Sequence, residues 1–326
     1  MYKKALILLF LIVSLRSVAQ KHAAEIGAIF DNDLYTSTYN DKYYTNGFEI
    51  YYRYLNTPKS ENVLKKITEF RIGQYIYNPQ TIRASRIDYN DRPFAGVFFA
   101  EAGIHQFYKN NSVLKLNGQL GFMGPNAFGQ ETQEFFHNTF GYKKVSGWEF
   151  QIHNAVLAQA EVFYAKKLAT LNSKNTVDIL AQAEVKLGTI FNEITVGPVL
   201  RIGFKELLPV SDSNLYDAAL RYDGNYKETS EFYFFISPKV NYQGYDATIQ
   251  GSLLPNNSPV TFPLIPWRFQ GEAGFKYRKN NWNFHYTFNY TTQEVDNIVN
   301  KGYYYGSIGV GYFLTPTLSK GEGARN

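Results

Sequence analysis

Trp282-Asn283-Phe284-His285-Tyr286-Thr287-Phe288-Asn289-Tyr290 alternates without a break, with aromatic side chains on one face and Asn, His, Thr and Asn on the other. Successive side chains of a strand point to opposite faces, so this run predicts a strand with one apolar and one hydrophilic side. The same period recurs upstream. Leu114, Leu116, Leu120 and Phe122 oppose Lys115, Asn117 and Gln119. Ala181, Ala183, Val185 and Leu187 oppose Gln182, Glu184 and Lys186, and Ile194, Val196, Leu200, Ile202 and Phe204 oppose Thr195 and Arg201. A soluble sandwich also alternates, but its strands run to about five or six residues. These runs last roughly nine to eleven, the length a tilted strand needs to cross a bilayer. Tyr and Trp at their ends suit interfacial girdles.

Extending the pattern gives an all-β chain, a transmembrane antiparallel β-barrel of about twelve strands, an even number as bacterial barrels require. The expected spans are 22–31, 44–55, 67–77, 93–107, 112–123, 148–165, 176–189, 193–204, 230–244, 267–278, 281–292 and 303–313. If the chain starts in the periplasm, odd strands run outward, and the segments 31–43, 78–92 and 124–147 emerge on the outer rim. Two features fit this frame less well. The periplasmic connection 205–229 is long for such a turn, and the chain continues past Phe313 rather than stopping at an aromatic strand end.

Composition agrees with an exported barrel. Lys3 and Lys4 precede the apolar run Ala5 to Leu15 and the small residues Ser17-Val18-Ala19. A basic start, a core too short to span a bilayer and small residues at the cut read as a secretory signal. The expected organisation is a signal peptide over 1–19 and one outer-membrane barrel domain over 20–326. Removing Lys3, Lys4 and Arg16 lowers the net charge from +5 to about +2, which gives no support to nucleic-acid binding. With no Cys, the chain is not a disulfide scaffold. Aromatic residues make up 17% of the sequence, and both a membrane barrel and a soluble sandwich tolerate that share.

The rim segments carry the unusual polar motifs. The first holds Asp31-Asn32-Asp33-Leu34-Tyr35 and Asp41-Lys42-Tyr43-Tyr44-Thr45-Asn46-Gly47. The second follows Gln74-Tyr75-Ile76-Tyr77-Asn78-Pro79 and closes with Asp91-Arg92-Pro93-Phe94-Ala95-Gly96. The third turns on Gly124-Pro125 and reads as a short helix from Gly129 to about Phe140, followed by Gly147-Trp148-Glu149-Phe150-Gln151-Ile152-His153-Asn154. Helical spacing puts Gln130, Gln133 and His137 on one side of that helix. Taken singly, these pieces have plain structural readings: Asn32-Asp33 as an Asx turn, Tyr44-Thr45 as a strand start, Pro79 and Pro125 as turn formers. His285 and His153 read as interior polar groups.

In this order and spacing, the motifs closely resemble the outer-membrane lipid A 3′-O-deacylase (LpxR-type) family, most densely over 29–154 and more weakly through Gly302-Tyr303-Tyr304-Tyr305-Gly306-Ser307. The resemblance implies a twelve-stranded barrel with its site near the outer-leaflet end. It also implies calcium-dependent hydrolysis releasing the 3′-linked acyloxyacyl group of lipid A. Family functional positions fall on Asn32, Asp33, Thr45 and His137. The family's basic pair is matched in part: Arg83 stands at one position, Ile82 at the other, and Arg86 is a candidate substitute.

The chemistry can be argued from the residues themselves. Ester hydrolysis needs an activated water and stabilisation of the developing oxyanion. An imidazole is ordinarily available as a neutral base near pH 7, which makes His137 the candidate base. Asp33 offers hard oxygens for Ca2+, and no Cys or close His pair exists to form a zinc site. The ion would polarise the carbonyl. Asn32 and Thr45 can orient water, donate to the oxyanion or complete the ion's shell. Arg92 is either a substrate contact or half of a structural pair with Asp91. Ser146 lies near His137, but no Gly-x-Ser-x-Gly elbow surrounds it, which favours direct attack by water. The expectation is a monomer in outer-membrane lipid, with lipid A or lipopolysaccharide as substrate. Two rivals remain: a non-catalytic barrel or pore of the same fold, and a secreted sandwich that binds glycans.

Overall fold

The computed structural model describes residues 22–36, 43–226, 229–254 and 257–314. The signal-peptide reading, the Asp41-Lys42 pair and the tail beyond Leu314 lie outside those residues. Twelve strands close into an antiparallel barrel in which every strand pairs with its sequence neighbours and β1 pairs with β12. They are β1 (Ala24–Asn32), β2 (Tyr43–Asn56), β3 (Val63–Asn78), β4 (Ala95–Tyr108), β5 (Ser112–Met123), β6 (Ala155–Thr170), β7 (Val177–Gly188), β8 (Phe191–Gly203), β9 (Ser230–Asp246), β10 (Trp267–Lys279), β11 (Trp282–Thr292) and β12 (Gly302–Leu314).

Each expected strand is present, and β6 differs most from its expected span. Trp148–Phe150 forms a 3-10 turn instead of opening the strand. Trp148 is buried against Phe94, ring centroids 5.0 Å apart, so its burial belongs to loop packing. The short helix is also present: α1 covers Gly129–Phe140. A one-turn helix, α2, covers Ala247–Gln250. No described helix is long and apolar enough to cross a membrane.

Alternation sorts the wall into two faces. Ile26, Phe30, Phe48, Ile50, Phe70, Ile72, Leu116 and Leu120 are exposed on the outside. The inward face carries many charged side chains paired with one another: Arg53 with Glu25 and Glu69, Arg71 with Glu49 and Glu69. An apolar exterior around a wet, ion-paired interior is the pattern lipid selects. His285 lines the lumen as expected. His153 does not: it is exposed in the loop before β6, where its backbone N–H donates to Ser258 Oγ.

The long connection after β8 folds back into the barrel end. Leu207, Val210, Leu215, Tyr216, Ala218, Ala219, Leu220 and Tyr226 are buried there in one cluster with Leu55, Phe107, Leu180 and Phe313 of the wall. Basic residues from five strands hold this plug. Arg53 and Lys115 pair with Asp217 at 2.9 and 2.7 Å. Lys65 donates to the carbonyl of Ala218, Lys276 to those of Asn214 and Leu215, and Arg278 to that of Ala219. Arg201 pairs with Asp178 and also donates to Ser213. The length that sits awkwardly with a turn is used to stop this mouth of the barrel.

At the other end, Arg92 ties three outer loops together. It is fully buried, its Nε donates to Glu294 at 2.7 Å, its Nη2 donates to Thr248 Oγ1, and its guanidinium lies 4.4 Å from the centre of the Tyr77 ring. Asp91 is not its partner: that carboxylate accepts from the Gln80 N–H and the Tyr43 hydroxyl.

Candidate active site

The outer-end segments meet on the outside of the wall. Two glycines let α1 lie against the barrel. A Cβ on Gly129 would sit 2.9 Å from Trp148 and 3.0 Å from the Gly96 Cα, so only glycine permits this approach. Gln74 of β3 donates to the Ala127 carbonyl just before the helix. Gly141 ends α1 in the left-handed region at φ +72°, and its N–H and that of Tyr142 both turn back to the His137 carbonyl. The chain then runs beside the second rim loop, where the Ser146 carbonyl accepts from the Ala84 N–H and the Ser146 N–H donates to the Ile82 carbonyl, bridging Ser146 to Arg83.

Between helix and wall lies a cavity of about 340 Å3 lined by Phe30, Asn32, Asn46, Phe48, Gln74, Gln133, Phe136, His137 and Phe140, among others. Phe30 and Phe48 belong to the outward face, so the cavity opens on the lipid side of the barrel. Gln133 and His137, one helical turn apart, are buried against the wall, while Phe135, Phe136 and Phe140 are exposed. Gln130, expected on the same polar side, bonds instead to Glu134 on the helix surface.

His137 Nδ1 lies 2.6 Å from the Lys143 carbonyl oxygen. A carbonyl only accepts, so in the neutral ring Nδ1 carries the proton and Nε2 carries the lone pair. Across the cavity, Asn32 ends β1. Its Oδ1 accepts from the Leu34 N–H at 2.7 Å, and its Nδ2 donates to Asn46 Oδ1 at 2.7 Å. The Asx turn and the site are therefore the same residue.

Thr45 and Asp33 flank the cavity and are not among its lining residues. Thr45 is the extra residue of a β-bulge, with Tyr44 opposite Tyr77 and Asn46 opposite Ile76. Its hydroxyl donates to the Ile76 carbonyl and accepts from Asn78. The bulge re-aims the chain: Tyr44 turns into the lumen to donate to Asp31, and Asn46 faces the cavity. Asp33 is buried in the 3-10 turn Asp33–Tyr35 that Asn32 caps. Of the arginines, Arg83 and Arg86 are exposed on the second rim loop, Arg86 bidentate to Asp88. Burial leaves Arg92 no face toward a substrate, so it is a structural residue. Asn46, Gln74 and the Lys143 carbonyl were not anticipated as site groups; Asn46 had a signal, its place in Thr45-Asn46-Gly47.

A family model described as "Outer membrane protein LpxR" matches residues 5–314. The chain belongs to the LpxR family. Among solved structures, LpxR from Salmonella typhimurium is similar at a TM-score of 0.70 and 19% identity, covering 88% of this chain and 99% of that one. The β domain of the Bordetella autotransporter BrkA aligns at a TM-score of 0.45 and 7% identity, covering 89% and 98%. The comparison with curated proteins returns no match. Family membership and the closed barrel place this LpxR-family chain in the outer membrane.

Proposed function

We propose that the chain is a calcium-dependent carboxylic ester hydrolase of the outer leaflet, removing the 3′-linked acyloxyacyl group of lipid A. The observation that carries this reading is an imidazole with a fixed tautomer in an apolar cavity that opens toward lipid. His137 Nε2 takes a proton from water as the water oxygen bonds to the ester carbonyl carbon and the carbonyl electron pair moves onto oxygen. The carbonyl then re-forms, the bond to the sugar oxygen breaks, and His137 returns the proton to that oxygen. A fatty acid and an alcohol leave, and the ring is restored.

Asn32 and Asn46 orient polar groups of the substrate at the cavity wall, and Thr45 acts by holding the bulge that presents Asn46. Phe30, Phe48, Phe136 and Phe140 receive the acyl chain and exclude water from it. Arg83 and Arg86 meet a lipid A phosphate from the rim.

The oxygens near Asn32 are of the hard type that Ca2+ takes: the Asp33 carboxylate and neighbouring amide and backbone carbonyls. Asp33 would hold the ion, which when bound supplies Lewis-acid polarisation of the ester carbonyl. Mass spectra of lipid A incubated with purified protein and calcium test the reading. Loss of the 3′ acyloxyacyl mass is expected; unchanged lipid A would overturn it.

A further inference from the structure

Gln133 is almost completely buried, lines the same cavity as His137, and lies one helical turn before it. The Trp148 indole N–H donates to its Oε1 at 2.9 Å. An indole nitrogen is a donor only, so it must meet the amide oxygen and cannot meet the amide nitrogen. That fixes which end of the side chain is which. Nε2, the remaining end, is buried and has no hydrogen-bond partner among the described residues. Buried donors without acceptors are rare in folded proteins, and one in a cavity wall points to an acceptor that arrives with a ligand. Asn32, Asn46 and Gln74 line the cavity together with Phe30, Phe48, Phe136 and Phe140, and none of these amide oxygens accepts from Gln133 Nε2.

We infer that Gln133 Nε2 donates to the carbonyl oxygen of the scissile ester and strengthens that bond as the oxygen becomes an oxyanion. This deepens the hydrolase reading and rests on it. The geometry suits the task because the same helix carries base and donor. His137 takes the water proton while Gln133, four residues earlier on the same face, meets the electron pair displaced onto the carbonyl oxygen. Trp148 is then a positioning residue, which pins the amide oxygen so that the N–H end is presented before substrate arrives.

The test uses Gln133→Glu, Trp148→Phe and the double variant Gln133→Met/Trp148→Phe in the full-length protein, assayed on lipid A with calcium. Gln133→Glu keeps an acceptor for Trp148 and removes the donor. The double variant removes both partners without adding charge. We expect kcat to fall about 10²–10³-fold in both with KM nearly unchanged, and Trp148→Phe alone to lose much less. A neutral ketone analogue of the ester, which forms its oxyanion only on hydration, should bind wild type and Trp148→Phe tightly and the double variant weakly. Equal kcat losses in Trp148→Phe and the double variant, or unchanged analogue affinity in the double variant, would overturn the inference and leave the hydrolase reading standing. An inactive wild type would overturn both.

Discussion

The ring nitrogen Nδ1 of His137 and the carbonyl oxygen of Lys143 are 2.6 Å apart, so the backbone just past α1 sets the tautomer of the candidate base. The helix ends at Gly141 in the left-handed region, and this brings the Lys143 carbonyl back under the ring. On the proposed mechanism, His137→Ala lowers the rate of acyl release by about 10²–10⁴-fold. Time-resolved mass spectrometry of lipid A reads this directly, and wild-type turnover in the variant would remove His137 from the mechanism.

Arg92 and Glu294 form a pair with both side chains almost fully buried. Breaking one partner strands the other charge, at a cost of about 3–5 kcal/mol, whereas replacing both with apolar groups of similar volume is close to neutral. Arg92→Met should therefore lower the thermal unfolding midpoint sharply, and Arg92→Met/Glu294→Met should recover most of it. Heat-dependent gel mobility of the barrel provides the measurement.

Arg83 and Arg86 stand exposed where Arg92 does not. Replacing both with Ala should raise KM for phosphorylated lipid A and leave kcat within about threefold, since a ground-state contact held equally in the transition state changes binding alone. Dephosphorylated lipid A should show no difference between wild type and variant.

The proposed calcium requirement can be checked by removing the ion. A chelator should abolish acyl release, and added Ca2+ should restore it better than Mg2+, whose small octahedral shell suits an all-protein site poorly. Asp33→Asn should raise the Ca2+ concentration needed for half-maximal rate. Full activity in chelator would remove the ion from the reaction.

The plug predicts that planar bilayers containing the protein show no steady conductance. Burial opposes ionisation of Asp217, but Arg53 and Lys115 more than offset it and hold its carboxyl well below the usual carboxylate range. A depressed folded-state pKa gives stability that is present above the unfolded value, about 3.9, and is lost as pH falls through the folded value. The mouth should therefore stay closed at pH 4.5. Deleting 208–224 should open it, and conductance in the intact protein would contradict the packing described above.

Strand number, closure and the limits of α1 were legible because alternation and helical spacing are local signals. Partner choice was not. Arg92 stands beside Asp91 in sequence, yet its ion pair crosses to Glu294, which the covalent chain does not reveal. Trp148 reads as a strand aromatic until Phe94 is seen beneath it. The motif around Thr45 was legible, but its bulge puts Asn46 and not Thr45 at the cavity. The plug was visible only as excess length, since its contacts are made to strands far along the chain. The arrangement of Gln133 against Trp148 depends on the connection between β5 and β6 folding back on α1, and no spacing rule predicts it.

The cavity lies outside the wall, between α1 and the first three strands, and not in the sealed centre. Its encounters are therefore with neighbours diffusing in the plane of the leaflet. Turnover should follow the mole fraction of substrate in the surface and be indifferent to how far a suspension of vesicles is diluted. On the proposed hydrolysis, the freed fatty acid would be delivered sideways into the same sheet of lipid, without passing through water.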